Sequence, residues 1–194
     1  LRIQSPDWSP VRVSAEPRTK KKVVPHITMF GPFNTSNERK VVSVFLAVSK
    51  KYSLIPFELK GFGSFDNRVI FVDIIPSEEL KKFRKELANE LIKLRNFLIF
   101  KIIKTDSVAD YEEHFKFHAT IAFKDIQNKF DSIFHYLKTR KTPHFEQKLL
   151  RITLLKNRRI LYEYDFLQKR LFNRREALNR GNWIKTISLL KNER

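Results

Sequence analysis

The chain has 194 residues and a formal net charge of +18, from 39 Lys and Arg against 21 Asp and Glu. Its length fits one domain or two fused lobes, and a hydrophobic share of 42% is sufficient for a core. The absence of cysteine excludes disulfides, thiol catalysis and cysteine-based zinc sites, and only four glycines argue against a Gly-rich phosphate loop. The basic excess predicts an anionic partner. Nucleic acid is the first candidate, because Lys and Arg that neutralise its phosphates release condensed counterions into solution.

Two further expectations concern location. A chain without cysteine is compatible with a reducing compartment, and we predict a cytoplasmic protein. No apolar run approaches the roughly 18 residues that a membrane span requires, so no membrane partner is predicted. Residues 1–22 contain three prolines and a run of lysines, which indicates an extended basic segment ahead of the folded domain.

Strands are predicted where apolar residues alternate or run continuously, and helices where they recur with a period near 3.6. The predicted strands cover 23–33, 57–63, 69–75, 97–103, 115–123, 149–155 and 160–166, and the predicted helices cover 37–52, 77–94 and 128–138. Ser77 is the expected N-cap of the second helix. Asp66-Asn67 and Asn157-Arg158 mark turns between strands, so mainly antiparallel sheets with outer helices, an α+β fold with α/β-type layers, are predicted.

Two of these predicted strands carry the same short pattern, a histidine followed two positions later by a threonine. His26 precedes Thr28, and His118 precedes Thr120, about half the chain away. On a strand, residues i and i+2 point to the same face, so each histidine projects together with its threonine. The neighbours on the opposite face are then expected to enter the core: Ile27, Met29, Phe117, Ala119 and Ile121.

A pair of histidines suits chemistry on a phosphate. A neutral imidazole has a pKa of about 6.5, so one ring accepts a proton while another donates one. Threonine hydroxyls donate hydrogen bonds to the non-bridging oxygens, where negative charge develops. One such motif alone is usually just a hydrogen-bonded pair on a half-solvated sheet, and its repetition is what favours a site. No carboxylate cluster with metal-ligand spacing is visible, so neither a metal nor another cofactor is predicted.

The paired motifs resemble those of the two-histidine (2H) phosphoesterase superfamily, and within it the 2′-5′ RNA ligase and RNA 2′,3′-cyclic phosphodiesterase group. The runs 25–33 and 117–122 are the closest matches, and the likeness covers about residues 23–166. The resemblance implies two pseudo-symmetric lobes around a central cleft. It also implies that His26 is the acid and His118 the base, with Thr28 and Thr120 on the phosphate. Residues 167–194 are then a basic C-terminal extension beyond the minimal domain.

We therefore predict a monomeric, metal-independent RNA phosphoesterase that hydrolyses 2′,3′-cyclic phosphate ends, acts on 2′-5′ linkages, or does both. Its partner is RNA or a nucleotide with a cyclic phosphate. Two alternatives stay open: a non-catalytic RNA-binding module on the same fold, and a cyclic phosphodiesterase for small nucleotides. Arg68 is a candidate RNA contact, and so are Arg170, Arg174 and Arg175, which recur at roughly helical spacing; a plain surface role is the competing interpretation.

Overall fold

The computed structural model describes residues 26–94, 115–123 and 126–192, and its fold is α+β with two antiparallel sheets. A four-stranded sheet has the order β3-β2-β1-β4, and a three-stranded sheet has the order β5-β6-β7. The strands are β1 (Ile55–Phe65), β2 (Val69–Pro76), β3 (His118–Phe123), β4 (His144–Leu149), β5 (Arg151–Lys156), β6 (Arg159–Asp165) and β7 (Arg170–Asn173). The helices are α1 (Glu38–Ser49), α2 (Glu78–Ile92), α3 (Phe130–Lys138), α4 (Arg174–Ala177) and α5 (Arg180–Asn192). This architecture confirms the predicted class and is compatible with a bilobal fold.

The predicted hairpins form at both turns. Asp66 and Asn67 have φ angles of 47° and 54° between β1 and β2, and Asn157 and Arg158 have φ angles of 50° and 63° between β5 and β6. The β5–β6 turn has two residues, and the β1–β2 turn has three, 66–68. Positive φ at two consecutive turn positions matches the twist of the flanking strands, and Asn and Asp enter this region more readily than most residues.

The long helices begin at polar caps and bury one face each. The Ser77 side chain accepts a hydrogen bond from the Leu80 backbone at 3.1 Å, as the cap prediction required. The apolar stripe of α2 is buried at Leu80, Phe83, Leu87 and Leu91, and that of α1 at Val41, Phe45 and Val48. Full burial of each such side chain contributes about 1.5–3 kcal/mol. Within the described ranges, no helix combines the length and apolar composition needed to cross a bilayer.

The four-stranded sheet has two unlike faces. Val72 and Ile74 of β2 belong to the main core beneath the helices, together with Ile55 and Phe57 of β1. Strand residues alternate between faces, so Asp73 points away from this core. Asp73 is half-buried, and Ile75, two residues later on the same face, is 45% exposed. This second face is therefore open to solvent and available for a site.

The three-stranded sheet is closed over a buried charged cluster. Arg151 Nε donates to Asp165 Oδ2 at 2.7 Å, and its Nη1 donates to Glu163 Oε1 at 2.9 Å. Its Nη2 donates to Thr186 Oγ1 at 2.6 Å and to the Asn182 carbonyl at 2.9 Å. Helix α5 is thereby tied to β5 and β6. The basic extension predicted at 167–194 contains a strand of this sheet and the helix that covers its cluster.

Several sequence predictions differ from the structure. Of the strand predicted at 23–33, the described residues show an isolated bridge at Ile27 and no longer ladder. The strand predicted from 115 begins only at His118, and the third helix opens with a 3-10 turn at Gln127–Lys129. His144 opens β4, a strand that was not among those predicted. The strand predicted at 97–103 lies outside the described residues.

Candidate active site

The two His-x-Thr segments meet in the structure. Ile27, between His26 and Thr28, forms an antiparallel bridge with Ala119, which lies between His118 and Thr120. Ile27 is 3% exposed and Ala119 is 2% exposed, so the bridged residues face the core. The first segment therefore runs beside β3, on the side that β2 does not occupy.

This register places the four polar side chains in a compact array. In an antiparallel pair centred on Ile27 and Ala119, His26 lies opposite Thr120 and Thr28 lies opposite His118. All four residues are half-buried, whereas the residues between them are buried, so both pairs point to the open face. The two histidines occupy diagonal positions, whose Cα atoms are typically about 7–8 Å apart. A phosphate group fits between side chains at this separation.

The imidazole of His118 is packed against two aromatic rings. Its centroid lies 5.0 Å from that of Phe65, at an interplanar angle of 87°, and 5.3 Å from that of Phe71, at 56°. Phe65 and Phe71 also contact each other, with centroids 4.5 Å apart. Phe71 is 1% exposed, although it lies on the open face of the sheet. The two rings thus form an apolar support beneath one edge of the site.

A backbone hydrogen bond defines the tautomer of His118. Nδ1 lies 2.8 Å from the carbonyl oxygen of Lys116. A carbonyl oxygen only accepts hydrogen bonds, so Nδ1 must carry the proton. In the neutral ring, Nε2 then holds a lone pair. The arrangement therefore presents His118 as a proton acceptor through Nε2, which suits a general base.

Lys116 brings a positive charge to the same face. It lies two residues before His118, and its Nζ is 3.2 Å from Asp73 Oδ2. Asp73 is the register partner of His118 on β2. The Lys116 ammonium also lies 5.1 Å from the centroid of Phe71.

A β-bulge interrupts β3 just after the motif. Phe71 pairs with Thr120, but Ile70 pairs with Ala122, so Ile121 is an extra residue without a partner on β2. Ile121 is 42% exposed, and the expectation that it enters the core was wrong. Bulges near sites change the direction of side chains, and this one ends the regular alternation immediately after Thr120.

The arginines proposed as RNA contacts lie in different elements. Arg68 is exposed in the β1–β2 turn, and its backbone N–H donates to the Phe65 carbonyl at 2.8 Å. Arg170 lies on β7 rather than in a helix, so the helical spacing predicted for the group was wrong. Its side chain pairs with Glu176. The remaining two, Arg174 and Arg175, are exposed at the start of α4. An RNA-binding role for the four stays a prediction.

A groove of about 610 Å³ lies at another part of the molecule, lined by β1, β2, β4 and Leu190 of α5. Neither histidine of the array lines it. Glu58 and Glu146 stand directly opposite each other on β1 and β4 within this groove. Lys148 lines the same groove, so its lining carries charges of both signs.

Sequence reasoning missed most of the residues that surround His118. A period-two count back from His118 identifies Lys116 as a neighbour on the same face. Phe65, Phe71 and Asp73 carry no comparable signal, because their approach depends on the pairing of β2 with β1 and β3. Within the described ranges, no three His, Asp or Glu side chains are grouped as metal ligands would be.

Comparison with known proteins assigns the chain to a family. A search of curated proteins finds no match. The family model described as the 2′-5′ RNA ligase superfamily matches residues 2–160, which include both His-x-Thr segments, β1 to β5 and the beginning of β6. The match covers most of the chain and agrees with the resemblance of the two motifs. The chain therefore belongs to the 2′-5′ RNA ligase superfamily, a branch of the 2H phosphoesterases.

Proposed function

We propose that this protein is a metal-independent RNA phosphoesterase that hydrolyses 2′,3′-cyclic phosphate ends, acts on 2′-5′ linkages, or does both. The observation that carries the proposal is the antiparallel contact of the two His-x-Thr segments at Ile27 and Ala119. It aligns two imidazoles and two hydroxyls on one half-exposed face. Membership of the 2′-5′ RNA ligase superfamily supports phosphoester chemistry at this face.

In the proposed hydrolysis, His118 Nε2 accepts a proton from water as the water oxygen attacks phosphorus. A new P–O bond forms, and the bond from phosphorus to one ribose oxygen breaks. His26 enters the reaction protonated and gives its proton to the departing ribose oxygen, so the product is a phosphate monoester with a free hydroxyl. Thr28 and Thr120 donate hydrogen bonds to the non-bridging oxygens. Each proton transfer is typically worth about 10²–10⁴-fold in rate.

The charge of the chain supports RNA as the substrate class. A net charge of +18 attracts a polyanion over a range of about 10 Å at 0.1 M salt. The exposed arginines Arg68, Arg174 and Arg175 are proposed phosphate contacts, each of which would release a counterion. Both motifs come from the same chain, so a monomer is sufficient to assemble the proposed site.

The test compares His26→Ala and His118→Ala with two control variants, His135→Ala on α3 and His144→Ala on β4. The substrate is an oligonucleotide ending in a 2′,3′-cyclic phosphate, assayed with excess chelator, and binding is followed by fluorescence anisotropy. We expect each site variant to lose at least about 10²-fold in kcat while RNA binding persists. Undiminished turnover in both site variants would refute the proposal.

The same assay separates the alternatives. A non-catalytic RNA-binding module would bind the oligonucleotide without turnover in the unmodified protein. A phosphodiesterase for small nucleotides would show the higher kcat/KM on a cyclic mononucleotide. The RNA phosphoesterase predicts the reverse order, and a lower kcat/KM on the oligonucleotide as salt increases.

A further inference from the structure

We propose that Phe71, seated on Gly63, is the positioning residue that holds the His118 imidazole in its reactive orientation. The inference rests on the function proposed above, because it assigns a role in orienting the proposed general base. Gly63 and Phe71 lie outside the two His-x-Thr motifs. Phe71 pairs in register with Gly63 on one side and with Thr120 on the other.

Gly63 leaves the space that the Phe71 ring occupies. The two residues are register partners on β1 and β2. A Cβ added at Gly63 would lie 2.4 Å from Phe71 Cε2 and 2.6 Å from its Cζ, both too short for any real contact. Gly61 has a positive φ of 81°, but Gly63 is not among the residues with positive φ. The ring, and not the backbone conformation, therefore requires glycine at this position.

The Phe71 ring has little room to move elsewhere. Phe71 is only 1% exposed. The Phe71 ring centroid lies 4.5 Å from the Phe65 centroid and 5.3 Å from the centroid of the His118 imidazole. It lies 5.1 Å from Lys116 Nζ. A side chain added at Gly63 would press the ring toward these neighbours, because close-packed interiors transmit displacement instead of absorbing it.

Phe71 is also separate from the main core. Its chain neighbour Val72 enters that core, and Val72 pairs with Ala119. Phe71 lies on the other face, where its ring meets His118. A change of the Phe71 ring is therefore expected to disturb the imidazole more than the packing of the helices on the sheet.

Orientation matters because a general base must point its lone pair at the attacking water. The bond from Nδ1 to the Lys116 carbonyl sets one direction of the ring, but the ring still needs lateral contacts. Edge-to-face and tilted contacts with Phe65 and Phe71 supply them. A displacement of about 1 Å at a reacting group is enough to cost about 10²-fold in rate.

The test is a double-mutant cycle of Gly63→Ala and Phe71→Leu, with Gly181→Ala in α5 as the glycine control. We expect each site variant to lose about 10- to 100-fold in kcat with a smaller change in KM. The double variant should match Phe71→Leu alone, because the smaller side chain removes the clash that alanine creates. Independent effects that multiply in the double variant would overturn the proposal.

A second readout does not require activity. In the unmodified protein, ¹⁵N NMR above the titration range of the imidazole should show His118 with a protonated Nδ1 and an unprotonated Nε2. In Gly63→Ala the two nitrogen shifts should move toward each other, while those of His144 stay constant. Unchanged His118 shifts together with a kcat within about twofold of the unmodified protein would overturn the positioning role. If His26→Ala and His118→Ala are both fully active, the function proposal fails, whereas these NMR shifts still test the positioning role.

Discussion

The two sheets use polar residues in opposite ways. In the three-stranded sheet, Arg151 is 2% exposed and Asp165 is 0% exposed, and both are held by hydrogen bonds from several directions. In the four-stranded sheet, His118 and Thr120 are half-exposed on an open face, and the imidazole rests on apolar rings. The closed cluster holds α5 in place, whereas the open array is accessible to a ligand.

The difference shows that burial determines how much stability is lost when a polar side chain is removed. A buried charge is tolerated only when its partners remain, so removing one partner is costly. A half-exposed histidine exchanges its hydrogen bonds with water, so its loss should affect stability little. Substitutions in the closed sheet are therefore expected to cost stability, and those in the open sheet to cost activity.

The largest expected effect on stability is that of Arg151→Ala. Its removal leaves Glu163 and Asp165 buried without their charge partner, and we expect a loss of about 3–5 kcal/mol in the free energy of unfolding. Urea unfolding followed by circular dichroism measures it. Arg159→Ala, an exposed arginine of the same hairpin, is the control and should change stability by no more than about 0.5 kcal/mol. A loss below about 1 kcal/mol for Arg151→Ala would contradict the claim that the buried cluster stabilises the three-stranded sheet.

A smaller loss is expected from Thr186→Val, which keeps the shape of the side chain but removes its hydroxyl. Thr186 Oγ1 accepts from Arg151 and donates to Asp165, so both charged groups lose a bond. We expect about 1–3 kcal/mol and faster amide hydrogen exchange in α5. Ser188→Ala on the exposed side of α5 serves as the control. Equal exchange rates in the two variants would show that the buried hydroxyl does not hold the helix.

The smallest effect should come from a partly buried pair between Tyr52, which follows α1, and Glu86 of α2. Tyr52 donates to Glu86 Oε2 at 2.8 Å, and burial together with this carboxylate raises the pKa of Tyr52 to about 12. The folded protein therefore keeps the phenolic proton between pH 10 and about 12 while the unfolded chain releases it, and stability falls as the pH rises through this window.

Replacement of this tyrosine should flatten that alkaline decline. Unfolding of Tyr52→Phe, measured from pH 9 to about 12, is expected to depend less on pH than unfolding of the unmodified protein. Tyr136→Phe, which alters an exposed tyrosine of α3, is the matched control. An alkaline decline of undiminished slope in Tyr52→Phe would contradict the assignment.

The spacing of apolar residues and the identity of the turn residues were sufficient to predict most of the regular elements. The helices at Glu38–Ser49 and Glu78–Ile92 follow from their apolar stripes, and the hairpin at Asn157 follows from its turn residues. Strand β4 was not predicted, because only Leu149 of its six residues is buried and no alternation appears. Its pairing with β1 is a tertiary effect that local pattern does not encode.

The candidate site was predictable only in its two motifs. The shared direction of His26 and Thr28 follows from strand periodicity, although the strand itself is reduced to one bridge. Pro25 and Pro32 flank this segment and lack the N–H that a longer ladder requires. The exposure of Ile121 follows from a bulge, and the approach of Phe71 to His118 follows from strand register. Neither is visible in the sequence alone.

The most direct test of the central claim is an NMR titration of the imidazole resonances with adenosine 2′-monophosphate, a phosphate monoester like the product of the proposed hydrolysis. If His26 and His118 share one phosphate, their resonances should move together and give a single dissociation constant, while those of His135 and His144 stay in place. Movement of only one of the two, or two distinct dissociation constants, would contradict a shared site.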